Sequence, residues 1–173
     1  FSHRVIDSLI EAGVDDIEHG SGIDADQASE IAARGIAVTP TLRQVEIFKD
    51  FAAQAGQKYP VYAATMRGMY ETRREHFQML VDSGVVLLMG TDSGGYQEHG
   101  TIAGELALWL QWGAPVQFTI DAATWASQRY LGYPGLVDGG PADFLILDED
   151  PRDDVLALSR PARVTLGGTT VWE

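Results

Sequence analysis

The sequence predicts an α/β fold in which short parallel strands alternate with helices, followed by a small β segment. Three observations support this fold class. Helical apolar spacing and short strand patterns alternate through residues 5–89, and the run from Val85 to Met89 is apolar without interruption. After Tyr133 the chain consists of short strand patterns separated by glycine-rich turns. Strands that alternate with helices usually pair in parallel through right-handed crossovers.

Turn and cap residues divide the chain into elements. Gly13 and Gly35 stand where helix ends favour a left-handed residue, and Asp24 with Gln27 forms a capping box. Pro115 is expected at the first position of a helix. The predicted helices lie at residues 5–12, 24–34, about 45–52, 60–83, 101–112 and 115–131. The predicted strands lie at residues 14–19, 36–39, 85–89, 142–147 and 163–171, the last interrupted by a turn at Gly167 and Gly168.

Two domains are predicted, a partial barrel at residues 1–132 and a small β domain at residues 133–173. Three strand–helix units are too few to close a barrel, and an isolated first strand would leave an open sheet edge. The chain also begins with Phe1 rather than Met. We therefore expect a truncated enzyme whose missing N-terminal half, or a second copy of the chain, covers the open edge.

Composition excludes several functions. The chain has 12 basic and 25 acidic side chains, a net charge of −13, and this charge disfavours nucleic acid. No apolar stretch approaches the length of about 20 residues that a membrane span needs, so no membrane partner is expected. Because the chain has no cysteine, any metal must be bound by His, Asp or Glu. The absence of cysteine favours the cytoplasm over export, although the compartment stays open.

Two polar residues follow predicted strands. His19 ends the strand pattern at residues 14–19, and Asp92 follows the run from Val85 to Met89. In parallel barrels the active site lies at the carboxyl ends of the strands. Each residue alone fits a packing or turn role, but together an imidazole and a carboxylate can share Zn2+. We therefore expect His19 and Asp92 to face one cavity.

The segments from Ala12 to Gly20 and from Met89 to Gly94 resemble the strand-6 and strand-8 motifs of the amidohydrolase superfamily. They are most similar to its prolidase-like and imidazolonepropionase-like branch. The segment from Gly135 to Asp148 resembles the return of that branch to its small β-sandwich domain, with Gly140 and Pro141 in place of the usual Gly-Lys. The resemblance covers nearly the whole chain and implies the C-terminal part of a TIM-like (β/α)8 barrel, about strands 6–8, followed by a small β segment.

The resemblance also implies site residues. His19 matches the strand-6 metal ligand, and Asp92 matches the strand-8 aspartate that contacts the metal and moves the proton from water to the leaving amine. His99 resembles a pocket-lining histidine that binds substrate. The family's strand-1 His-x-His pair, strand-4 lysine or glutamate and strand-5 histidine have no counterpart here. The intact enzyme is therefore expected to bind one or two Zn2+ ions, and this chain alone to bind Zn2+ weakly or not at all.

The function implied for the intact enzyme is zinc-dependent hydrolysis of an amide bond by metal-activated water, in a dipeptide or a small cyclic amide. Two alternatives stay open, namely a deaminase of the same superfamily and a non-catalytic binding or assembly module. The remaining candidate side chains have simpler interpretations. His76 is expected on a solvated helix face and His3 near a helix start, while Glu18 and Glu105 could orient metal ligands. The core is expected to contain Trp109, Trp112, Trp125 and Tyr130.

Overall fold

The sheet that positions the candidate site is parallel, as predicted. A computed structural model describes residues 1–173 and divides them into two units, residues 1–101 and 102–173. In the first unit, three strands pair in parallel in the order β1-β2-β3, with Ile17 opposite Val38 and Val38 opposite Leu87. The strands are β1 (Asp16–Glu18), β2 (Ala37–Thr39) and β3 (Val86–Leu87). Strands β1 and β3 therefore form the open edges of this sheet.

Six helices belong to the first unit. They are α1 (Ile6–Ala12), α2 (Ala25–Arg34), α3 (Leu42–Glu46), α4 (Phe48–Ala55), α5 (Pro60–Glu71) and α6 (Arg73–Asp82). The predicted ends are confirmed: Gly13 and Gly35 take left-handed conformations, and Asp24 and Gln27 form the reciprocal capping box. Local signals placed these ends correctly because each cap involves residues within one helical turn.

The segment between β2 and β3 contains more helices than predicted. The predicted single helix at residues 60–83 is two helices, and the break falls at Thr72. The Thr72 hydroxyl donates to the Gly68 carbonyl oxygen at 3.1 Å and shares that acceptor with the Thr72 backbone N–H. Helices α3, α4 and α5 share a buried apolar cluster of Val45, Phe48, Ala52, Met66 and Met69.

The two faces of the parallel sheet differ. Ile17, Val38 and Leu87 share one face and are buried. Val86, on the opposite face from Leu87, is 42% exposed, so the prediction of a strand buried on both faces was wrong. The exposure has a physical reason, since edge strand β3 pairs with β2 alone. The face carrying Val86 also carries Asp16, and it is the polar face of the sheet.

The second unit combines helices with an antiparallel sheet. Its helices are α7 (Ile102–Gln111), α8 (Val116–Ala123), α9 (Trp125–Tyr130) and a 3-10 helix at Val155–Ser159. Its strands are β4 (Phe144–Ile146), β5 (Arg163–Leu166) and β6 (Thr169–Trp172), paired in that order. The predicted small β segment is therefore present. The predicted domain boundary at residues 132 and 133 stays a prediction.

The predicted helix at residues 115–131 is interrupted. Pro115 is the N-cap rather than the first helical residue, and Thr124 separates α8 from α9. The Thr124 hydroxyl donates to the Ile120 carbonyl oxygen at 2.7 Å, as Thr72 does in the first unit. Trp109 is buried as expected, whereas Trp125 is 45% exposed, so its assignment to the core was wrong. No helix of the chain is both long enough and apolar enough to cross a membrane.

Candidate functional site

Three polar residues beyond the parallel strands adopt left-handed backbone conformations. His19 (φ 68°) follows β1, Thr41 (φ 46°) follows β2 and Asp92 (φ 55°) follows β3. They are the only residues other than glycine in the chain with positive φ. Such conformations cost about 1–3 kcal/mol each and cluster at functional sites. The backbone therefore marks the carboxyl edge of the parallel sheet as the candidate site.

His19 is held by Thr41. The two side chains hydrogen-bond between Nδ1 and Oγ1 at 2.8 Å. Thr41 is itself buried, so the contact fixes the imidazole ring from within the fold. Burial lowers the pKa of His19, and the Asp92 carboxylate acts in the opposite direction. Because Nδ1 contacts Thr41, Nε2 is the ring nitrogen available to a ligand.

Carboxylates make this end of the sheet negative. Burial, followed by the negative charge of Asp16, raises the pKa of Glu18, and Asp92 contributes in the same direction. Asp16 Oδ2 accepts from the Thr39 hydroxyl at 3.2 Å, whereas its Oδ1 is buried without a hydrogen-bond partner. Asp92 itself is exposed. Burial beside the negative charge of Asp16 disfavours the ionised form of the Glu18 carboxyl group, and a bound cation would offset that cost.

The loop after β3 is fastened to α3 by a buried glutamine. Gln97 donates from Nε2 to Gln44 Oε1 at 3.1 Å and to the Thr91 carbonyl oxygen at 2.9 Å. Its Oε1 accepts from Arg43 at 3.0 Å. These bonds hold both sides of Asp92 in place. Sequence reasoning missed Thr41, Gln44 and Gln97, and the one available signal was the position of Thr41 directly after a strand.

His99 lies in the same loop and is exposed. A Cβ atom placed on Gly94 would lie 3.3 Å from Cε1 of His99, so the imidazole packs against the loop backbone two residues after Asp92. The structure thus brings His99 close to the Asp92 loop. The assignment of His99 to substrate binding stays a prediction, as do the roles of His19 and Asp92.

The side chains at the carboxyl ends of the strands supply some of the ligands that zinc requires. The imidazole of His19 and the carboxylate of Asp92 are suitable donors, and the surplus negative charge favours a cation. No group of three or more His, Asp or Glu side chains in residues 1–173 is arranged to hold a metal ion. A catalytic zinc usually has about three protein ligands. The residues present therefore fit part of a zinc site.

Gly20 is expected to be required for the left-handed turn that follows β1 and His19. Replacing it by alanine should lower the free energy of unfolding by about 2 kcal/mol or more, because φ is +57° and the new Cβ would lie 2.8 Å from both Ile23 and Val38. Gly35→Ala is the matched control, since φ is +69° but no atom lies within 4 Å. Urea unfolding of both variants checks this. Equal losses of unfolding free energy in the two variants would show that the close contacts with Ile23 and Val38 contribute nothing.

The other histidines are better packed than the sequence suggested. His76 was expected on a solvated face, but it is half-buried and its Nε2 donates to the Ile23 carbonyl oxygen at 3.0 Å. His3 contacts the Gly22 carbonyl oxygen through Nδ1 at 3.1 Å. The helix pattern could not reveal these bonds, because both reach the loop after His19. Burial lowers the pKa of His76, and its bond to Ile23 acts in the opposite direction.

A pH dependence of stability follows from His76. Because its pKa is lower in the folded state, the unfolded chain binds the proton more tightly. The contribution of His76 to stability is therefore complete above the ordinary histidine pKa of about 6.5, and it declines as the pH falls from there through the lowered pKa of the folded state. His76→Gln keeps a donor for Ile23 but does not titrate. Between pH 8 and pH 5, the free energy of unfolding should fall less in this variant than in the wild type. An equal fall in both proteins would show that His76 does not contribute to the pH dependence.

The sequence is similar to a known protein family and to mycobacterial proteins. The model of the amidohydrolase family matches residues 5–171. An uncharacterized protein of Mycobacterium tuberculosis strain H37Rv is 39% identical over 170 residues, which cover 98% of this chain and 46% of that protein. A Mycobacterium bovis protein matches to the same extent. The chain thus spans about half the length of the curated relatives that it matches.

Solved structures agree with the family match. A Xaa-Pro dipeptidase with bound methionine is similar with a TM-score of 0.83 and 24% identity, over 97% of this chain and 42% of that one. A prolidase in complex with N-methylphosphonate-L-proline gives a TM-score of 0.81 and 25% identity, over 99% and 43%. The ochratoxinase of A. niger gives 0.77 and 25%, over 95% and 39%. The α/β fold therefore matches these hydrolases over part of their length.

Proposed function

The chain belongs to the amidohydrolase family, and from this premise we propose that it is the C-terminal part of a zinc-dependent hydrolase that cleaves an amide bond. The observation that supports this most strongly is the row of His19, Thr41 and Asp92 beyond three parallel strands, each with a left-handed backbone. In this proposal β1, β2 and β3 correspond to strands 6–8 of a (β/α)8 barrel. Strand ends of this kind are where such barrels place their chemistry.

The proposed roles follow from the contacts. Thr41 orients the His19 ring, and Nε2 is the atom that would hold the metal. Zinc, when bound, supplies a Lewis acid that polarises the scissile carbonyl and activates water. The Asp92 carboxylate takes a proton from the attacking water and returns it to the leaving nitrogen. His99 contributes to substrate binding from the same loop.

The substrate class is proposed from the neighbours. Several similar structures are named as prolidases or a Xaa-Pro dipeptidase, and one is an ochratoxinase. These names favour peptide and related amide bonds as substrates, with cyclic amides of the imidazolonepropionase-like type as a further member of the class.

The proposal is tested on the full-length protein that contains this chain. Purified protein is incubated with Xaa-Pro dipeptides, other dipeptides, N-acyl amino acids, cyclic amides and amino-substituted heterocycles, and the released amine or ammonia is quantified. We expect amide hydrolysis that a chelator abolishes and Zn2+ restores. Ammonia release from heterocycles alone would favour a deaminase, and the absence of any turnover by zinc-loaded protein would favour a non-catalytic module.

A further inference from the structure

A row of aromatic rings extends from His19 to the loop that carries Asp92. The Phe1 ring lies 4.2 Å from that of His19 and 4.6 Å from that of Phe48. The row continues from Phe48 to Phe51 at 6.2 Å and from Phe51 to Tyr96 at 4.9 Å. The three separations among Phe1, Phe48, Phe51 and Tyr96 lie in the range of favourable ring pairs. Tyr96 stands four positions after Asp92 in the same loop.

A cavity of about 440 Å³ opens beside this row. Aromatic and amide side chains line this cavity. The lining residues used in the argument are Phe1, Gln44, Phe51, Tyr59, Tyr62 and Tyr96. The volume is within the range of small-molecule pockets, about 300–1,000 Å³. The size and the aromatic lining together suit a flat apolar group.

Two tyrosine rings present their faces to this cavity. Tyr96 and Tyr59 both line it, and each leaves more than half of its surface uncovered by residues 1–173. Gln44, in contrast, is buried, and its Oε1 accepts from Gln97. This bond sets the orientation of the Gln44 amide and leaves its NH2 group to donate to a ligand. The cavity thus offers stacking surfaces and a positioned polar group.

We propose that this cavity binds the aromatic side chain of the amide substrate and that Tyr96 and Phe51 determine this specificity. The inference rests on the proposed hydrolase function, because Phe1 lines the cavity and packs against His19, which places the occupant next to the proposed reaction site. A ring that packs beside the Phe51 and Tyr96 pair would gain edge or stacked contacts that an aliphatic side chain lacks. An aromatic substituent next to the scissile bond is therefore preferred over a small one.

Equilibrium binding tests the proposal separately from turnover. The probes are free L-phenylalanine and L-alanine, which contain no amide bond and therefore cannot be hydrolysed, and calorimetry on the full-length protein measures both. We expect the phenylalanine probe to bind about 3- to 10-fold more tightly, as one favourable ring pair would give. Tyr96→Ala should remove most of this preference, measured as the ratio of the affinities for the two probes.

Two variants complete the test. Phe51→Leu keeps an apolar side chain but removes a ring, and it should weaken the preference as Tyr96→Ala does. Trp172→Ala, which also removes an exposed aromatic ring but lies on β6, should preserve the preference. Equal affinity for the two probes, no binding of either, or a preference that survives both cavity variants would overturn the proposal. Tighter binding of the phenylalanine probe without amide hydrolysis would support the proposed aromatic cavity and reject the proposed hydrolase function. Amide hydrolysis without tighter binding of that probe would support the hydrolase function and reject the aromatic cavity.

Discussion

Asp92→Asn in the full-length protein is expected to reduce turnover by about 10²- to 10⁴-fold, the usual contribution of a general acid–base group. The asparagine amide keeps the shape of the carboxylate but cannot accept the proton. The fold should survive, because asparagine tolerates the left-handed conformation that Asp92 adopts at φ 55°. The kcat for an amide substrate measures the effect, with bound zinc and thermal unfolding measured in parallel.

Asp138→Asn is the matched control for this change. Asp138 is also an exposed aspartate, but it lies in the second unit, and its replacement should leave kcat unchanged. If the zinc-loaded Asp92→Asn enzyme turns over like the wild type, Asp92 has no part in proton transfer. A loss of zinc together with activity would instead indicate that Asp92 acts mainly as a ligand.

The 173-residue chain alone is expected to bind Zn2+ weakly or not at all and to have no useful hydrolase activity. It offers two recognisable donors, His19 and Asp92, whereas a catalytic zinc usually has about three protein ligands. Both outer strands of the parallel sheet have an open edge, so these donors are less firmly supported than in a closed barrel. Zinc content and dipeptide hydrolysis of the purified chain measure the outcome.

Adding back the rest of the protein provides the decisive comparison. Activity that appears only when the separately produced N-terminal half is present would support a divided site. Two copies of the chain could also cover the open edge, which sedimentation of the chain alone would reveal. Stoichiometric zinc with turnover in the chain alone would falsify the partial-site hypothesis.

The sequence by itself was sufficient for features that depend on near neighbours. Gly13 and the pair Asp24 and Gln27 predicted helix ends correctly, because each cap satisfies backbone groups within one turn. Alternating strand and helix patterns predicted the parallel sheet, and the family resemblance is confirmed by the match over residues 5–171. The positions of His19 and Asp92 after strands were also readable, although their roles stay predictions.

Only the tertiary structure showed which side chains hold the residues at the strand ends in place. The bond from His19 to Thr41 spans 22 positions and that from His76 to Ile23 spans 53, distances over which no periodic pattern carries information. The breaks at Thr72 and Thr124 were visible only in the tertiary structure, since the same kind of hydroxyl bond at Thr65 leaves α5 unbroken. The exposure of Val86 likewise follows from which strands flank β3. The sequence therefore determined the elements and the candidate ligands, while packing decided which side chains hold them in place.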